Sequence, residues 1–181
     1  MPKLIAIIFY SLFFINVASA RDKIENHQQN LFLNLNLTTF EINENSEIFY
    51  DENSGIILEN IQSALLDLMS YSRFDNIEEC QSLELQVFLL PRRILNNRRI
   101  MDFLQWSDWN NQDIRGVYTS FHVQSQGEIY INYEKSSREF YFTLAHEFFH
   151  FATDVECKRF NYTERDADNF ATNFCESSDF C

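Results

Sequence analysis

Residues 137–153 read SREFYFTLAHEFFHFAT, and this stretch organises the rest of the chain. Phe140, Leu144, Ala145, Phe148, Phe149, Phe151 and Ala152 recur at helical spacing and cover nearly every side, which marks a helix buried inside a domain. Ser136 precedes Glu139 by three residues, a capping-box start. A helix is therefore predicted over Ser137–Thr153. Within it His146, Glu147 and His150 spell H-E-x-x-H.

Two imidazoles four residues apart lie on one helix face, about one turn from each other. Both can reach one zinc ion at roughly 2.0–2.1 Å. The intervening Glu147 can take a proton from water activated by the metal. One turn thus carries two candidate ligands and a candidate general base.

A catalytic zinc site needs a third protein ligand and an open position. The other histidines are His27 and His122. Asp154 shares the face of His150 but lies about 12 Å along the axis from His146. Glu156 stands where metzincins place a third histidine, yet Thr153 occupies the position of the glycine in their sharp turn. Glu164 is the leading candidate, with Glu156 next. Glu164 opens Glu164-Arg165-Asp166-Ala167-Asp168, an E-x-x-A-D sequence. Thr163 and Asp166 form a second capping-box-like start. A helix is predicted over 163–176, with Phe170, Ala171 and Phe174 facing the core.

From Phe142 to Phe174 the chain resembles the gluzincin metallopeptidases, the thermolysin-like clan. There an H-E-x-x-H helix is followed by a helix whose E-x-x-x-D supplies the third ligand. The resemblance implies that Glu164 binds Zn2+ with His146 and His150. It also implies that Asp168 accepts the N–H of the far nitrogen of His146, and that Ala167 lets the two helices pack closely. The implied activity is hydrolysis of peptide bonds with Glu147 as catalytic base, and the implied partner is a peptide or protein. Candidate donors to the reacting carbonyl are Tyr162, Tyr141, His122 and the arginines near 165. Two other classes stay open. One is a binding or inhibitory module of peptidase-like fold with a structural zinc, and the other is a disulfide-stapled domain without metal.

Upstream, Gly55–Phe74 has apolar residues at spacings of three and four, an amphipathic helix. Leu83–Leu90 reads as a strand stopped by Pro91. Gly116–Val123 and Glu128–Asn132 are strand-like, with a hairpin turn at Gln124–Gly127. The clan resemblance implies that an edge of one of these strands pairs with extended substrate. Arg92, Arg93, Arg98 and Arg99 read as a solvated helix face. Residues 21–54 form a polar N-terminal segment, with one strand suggested by the alternation Leu31, Leu33, Leu35, Leu37. The predicted fold is α+β: a single zincin-like domain over 55–181, with a small twisted sheet packed on the buried helix and the E-x-x-A-D helix beside it.

Met1–Ala20 reads as a signal peptide, with Lys3, an apolar run and an Ala18-Ser19-Ala20 cleavage site. A secreted or periplasmic protein without a membrane anchor is expected, and a monomer. The formal net charge is −13, one unit more negative without Lys3. Such a surface repels phosphate backbones and argues against nucleic acid as partner. Cys80, Cys157, Cys175 and Cys181 suggest two disulfides. Three pairings are possible. Cys157 would struggle to span a helix of about 18 Å to reach Cys175, whereas Cys181 could fold back. Asn36-Leu37-Thr38 and Asn161-Tyr162-Thr163 are glycosylation sequons.

Overall fold

A computed structural model describes residues 37–43, 46–51, 54–70, 84–97, 115–121, 126–153 and 162–181. The chain divides into two units, Met1–Leu37 and Thr38–Cys181. The first lies outside the described residues apart from Leu37, and the account below concerns the second. The strands are β1 (Leu37–Asn43), β2 (Ser46–Asp51), β3 (Glu84–Leu90), β4 (Gly116–Phe121) and β5 (Gln126–Asn132). The helices are α1 (Leu58–Ser70), α2 (Arg92–Leu95), α3 (Ser137–Thr153) and α4 (Glu164–Ser177). None of them is long and apolar enough to cross a membrane.

The fold is α+β with a small mixed sheet in the order β1-β2-β3-β5-β4. β2 and β5 flank β3 in parallel, while β4 runs antiparallel to β5. β3 is buried on both faces from Val87 to Leu90, which accounts for its unbroken apolar run. One face of the sheet (Ile48, Leu85, Val87, Leu89, Ile129, Ile131) joins Leu65 and Leu68 of α1, Leu144 and Phe148 of α3, and Phe170 and Phe174 of α4 in one core. On the other face Phe49, Phe88 and Tyr130 stack in register across β2, β3 and β5, with ring centroids 4.6 and 4.8 Å apart. Tyr130 donates its hydroxyl to the Glu128 carboxylate on that face.

α3 has the predicted limits, and Ser136 caps it: Glu139 N–H donates to Ser136 Oγ at 3.4 Å. Its all-round apolar character follows from its neighbours, since β4, β5, α1 and α4 all pack against it. α1 begins at Leu58, three residues after the predicted Gly55. Gly55 has φ 70°, a left-handed conformation that a helix cannot include. Arg92 and Arg93 are exposed on the short helix α2. The N-terminal stretch differs most from expectation. The strand expected to end at Leu37 lies outside the described residues except for Leu37, which starts β1. Two strands of the sheet come from 37–51, so sheet residues precede the boundary predicted at residue 55. In β2, Ile48 and Phe49 are both buried, one on each face. A central strand this short shows no alternation to read.

α3 and α4 run antiparallel. Ser137 at the start of α3 donates its hydroxyl to the Phe180 carbonyl just past α4, at 3.3 Å. The later turns of α3 face the start of α4. A Cys175–Cys181 disulfide folds the tail back on α4, placing Phe180 against Tyr141 and Phe174. Cys80, Cys157 and both sequon asparagines lie outside the described residues.

Candidate metal centre

His146 and His150 project from one face of α3, with ring centroids 4.9 Å apart. The start of α4 is set by Thr163, whose backbone N–H and hydroxyl both donate to Asp166 Oδ2, at 2.8 and 2.7 Å. This makes Glu164 the first residue of the helix and aims it at α3. Ala167 and Ala171, both fully buried, keep the two helices close.

The donor atoms converge. His146 Nε2 lies 3.2 Å from His150 Nε2 and 3.2 Å from Glu164 Oε2, and His150 Nε2 lies 3.5 Å from Glu164 Oε1. One ligand atom from each of the three residues falls within 4.8 Å of the others. On its far side His146 Nδ1 is 3.0 Å from Asp168 Oδ1. Asp168 can accept the Nδ1 proton, and in that tautomer the Nε2 lone pair is left for an ion shared with His150 and Glu164. A tetrahedral ion with bonds of 2.0–2.1 Å separates its ligand atoms by about 3.3 Å. The spacings and donor types of this cluster therefore fit a divalent metal ion.

Glu147 faces β4. It lines a cleft of about 200 Å³ together with Gly116, Val117, Tyr118, His146, His150 and Glu164. The Tyr118 backbone N–H hydrogen-bonds the Glu147 carboxylate. In the metal-free protein, burial and then the charge of Glu164 push the Glu147 carboxyl up to about 8, against the pull of the Tyr118 N–H.

The other sequence candidates fall elsewhere. Tyr141 is buried against Phe140 and Phe180, away from the cleft. Tyr162 is 41% exposed and packs edge-on to Phe149. Arg165 is exposed on α4. None of these three lines the cleft. His27, His122, Asp154 and Glu156 lie outside the described residues. Sequence reasoning missed Gly116 and Tyr118. Their signal was faint: one of only three glycines in the chain opens a strand just upstream of the H-E-x-x-H helix.

The Peptidase_M78 family model, IrrE N-terminal-like domain, matches residues 103–176. No curated protein and no solved structure matches the chain. The matched stretch contains β4, β5, α3 and nearly all of α4, and with them the whole donor cluster. Over these residues the chain is similar to a zinc-peptidase domain. The likeness is to that peptidase family and does not single out the thermolysin-like clan.

Proposed function

We propose that this protein is an exported zinc-dependent metallopeptidase of zincin-like, gluzincin-type architecture. His146, His150 and Glu164 would hold the ion, with Asp168 supporting His146. The observation that carries this reading is the convergence of two imidazoles and a carboxylate from two helices beside the buried Glu147. Three protein donors, rather than four, are gathered among the described residues, and they open onto a cleft. That arrangement supports a catalytic rather than a closed structural site.

Zinc, when bound, supplies Lewis acidity that polarises a scissile carbonyl and makes water easier to deprotonate. The rest is done by the chain. Glu147 accepts a proton from the attacking water and delivers it to the leaving amine. The Tyr118 N–H holds the Glu147 carboxylate. Asp168 keeps the proton of His146 on Nδ1, so Nε2 stays free to bind. β4 ends the strand order and lines the cleft, which supports pairing of an extended peptide along that strand. The Cys175–Cys181 disulfide supports an oxidising compartment, as the signal-peptide reading of Met1–Ala20 requires.

Two measurements test the proposal. Wild type should bind one zinc, and His146→Ala and Glu164→Ala should lose it. Wild type with equimolar zinc should cleave members of a broad peptide library, and Glu147→Gln should keep the zinc and cleave none. A wild type that binds zinc and cleaves nothing would move the assignment to a binding module with a structural metal. If Glu164→Ala binds zinc as tightly as wild type, the third ligand is wrong and Glu156 takes its place.

A further inference from the structure

We infer that Gly116 is a positioning residue for Glu147: its missing side chain leaves the space in which the Glu147 carboxylate is held against β4. Gly116 pairs with Ile131 and Tyr118 with Ile129, so positions 116 and 118 share the face of β4 that meets α3. A Cβ at 116 would lie 2.5 Å from Thr143 Cγ2, 3.0 Å from Glu147 Cγ and 3.2 Å from Glu147 Oε1. Two of these three atoms belong to Glu147. The strand grips that side chain at two points, with bare backbone beside its stem and the Tyr118 N–H on its carboxylate.

Glycine is scarce in this chain, with three in 181 residues, and two of them lie under α3. They serve different ends. A Cβ at Gly127 would strike the Phe151 ring, which is core packing. Gly116 abuts the proposed general base. Backbone freedom does not explain it, since Gly55 is the glycine with positive φ among the described residues.

The side chain at 116 meets two neighbours, and they can be separated. Thr143 is β-branched and stiff, and its hydroxyl donates to the Glu139 carbonyl at 2.7 Å, so its methyl cannot turn away cheaply. Thr143→Ser removes that methyl and keeps the hydroxyl. Gly116→Ala together with Thr143→Ser therefore relieves the contact between helix and strand and leaves the contact with Glu147.

The kinetic part of the test rests on the peptidase reading, and the crystallographic part does not. Gly116→Ala alone should lower the melting temperature and kcat. In Gly116→Ala/Thr143→Ser the melting temperature should recover, and zinc affinity and KM on the best-cleaved fluorogenic peptide should match wild type. Its kcat should stay about 100-fold low, the cost of roughly 1 Å of misplacement at a reacting group. Crystals of the metal-free double variant should show the Glu147 carboxylate displaced from the Tyr118 N–H. Recovery of kcat along with stability, or a carboxylate still on Tyr118, would overturn the inference and leave Gly116 a spacer between helix and strand. If wild type cleaves nothing, the peptidase reading fails, and the crystals still decide the positioning.

Discussion

His146 Nδ1 stands 3.0 Å from Asp168 Oδ1, tying the metal-facing turn of α3 to the second turn of α4. The contact holds the ring of His146 in one orientation and one tautomer. Asp168→Ala should therefore weaken zinc binding by about 10–100-fold while the protein stays folded. Competition with a chromophoric chelator measures it. Unchanged affinity would mean that the ring is held by the core alone.

The pH dependence of the metal-free protein should carry the mark of Glu147. Its carboxyl titrates near 4.5 ordinarily and about 8 in the fold. Between these values the unfolded chain releases the proton and the folded protein keeps it. Stability from this group is whole below about pH 4.5 and is lost as pH rises toward 8, with a slope of at most about 1.4 kcal/mol per pH unit. Glu147→Gln cannot titrate there. The melting temperature of the variant relative to wild type should rise from pH 5 to pH 8. A constant difference would show that Glu147 ionises normally.

Phe148 is 1% exposed and sits where α3 meets the sheet and the other helices. Phe148→Ala should cost about 3–5 kcal/mol, read from urea unfolding. A loss below about 1 kcal/mol, the size of an ordinary substitution, would show that α3 is not the centre of the core.

The Cys175–Cys181 disulfide closes a short loop at the end of α4 distant from Glu164. Replacing both cysteines with serine should cost about 2 kcal/mol of stability by loop entropy. Zinc affinity should not change, because the ligands lie at the opposite end of α4. Loss of zinc binding in the double serine variant would mean that the tail holds the two helices in register.

The amino-acid sequence alone determined the elements whose signals lie within a turn or two of chain. The limits of α3 follow from its apolar periodicity and the Ser136 cap. The start of α4 follows from Thr163 and Asp166, and the β4–β5 hairpin from two apolar runs, although Gln126 and Gly127, predicted as turn, pair with Phe121 and Ser120 inside β5. These features are legible because capping and amphipathic spacing act between residues three or four apart. The placement of His146 and His150 on one face was legible for the same reason.

The tertiary structure decided what depends on distant segments meeting. It placed β1 and β2 in the sheet, because β2, short and buried on both sides, has no alternating pattern, and the edge strand β1 offers a brief one, with Phe40 and Ile42 packed inward and Thr39 and Glu41 exposed. It brought Glu164 within 3.2 Å of His146, a distance set by helix packing over Ala167 and Ala171. It set Gly116 and Tyr118 of β4 against Glu147, which no spacing between residues 116 and 147 could announce. Local chain chemistry specifies which face a side chain occupies, and only the packing of one element on another specifies what that face meets.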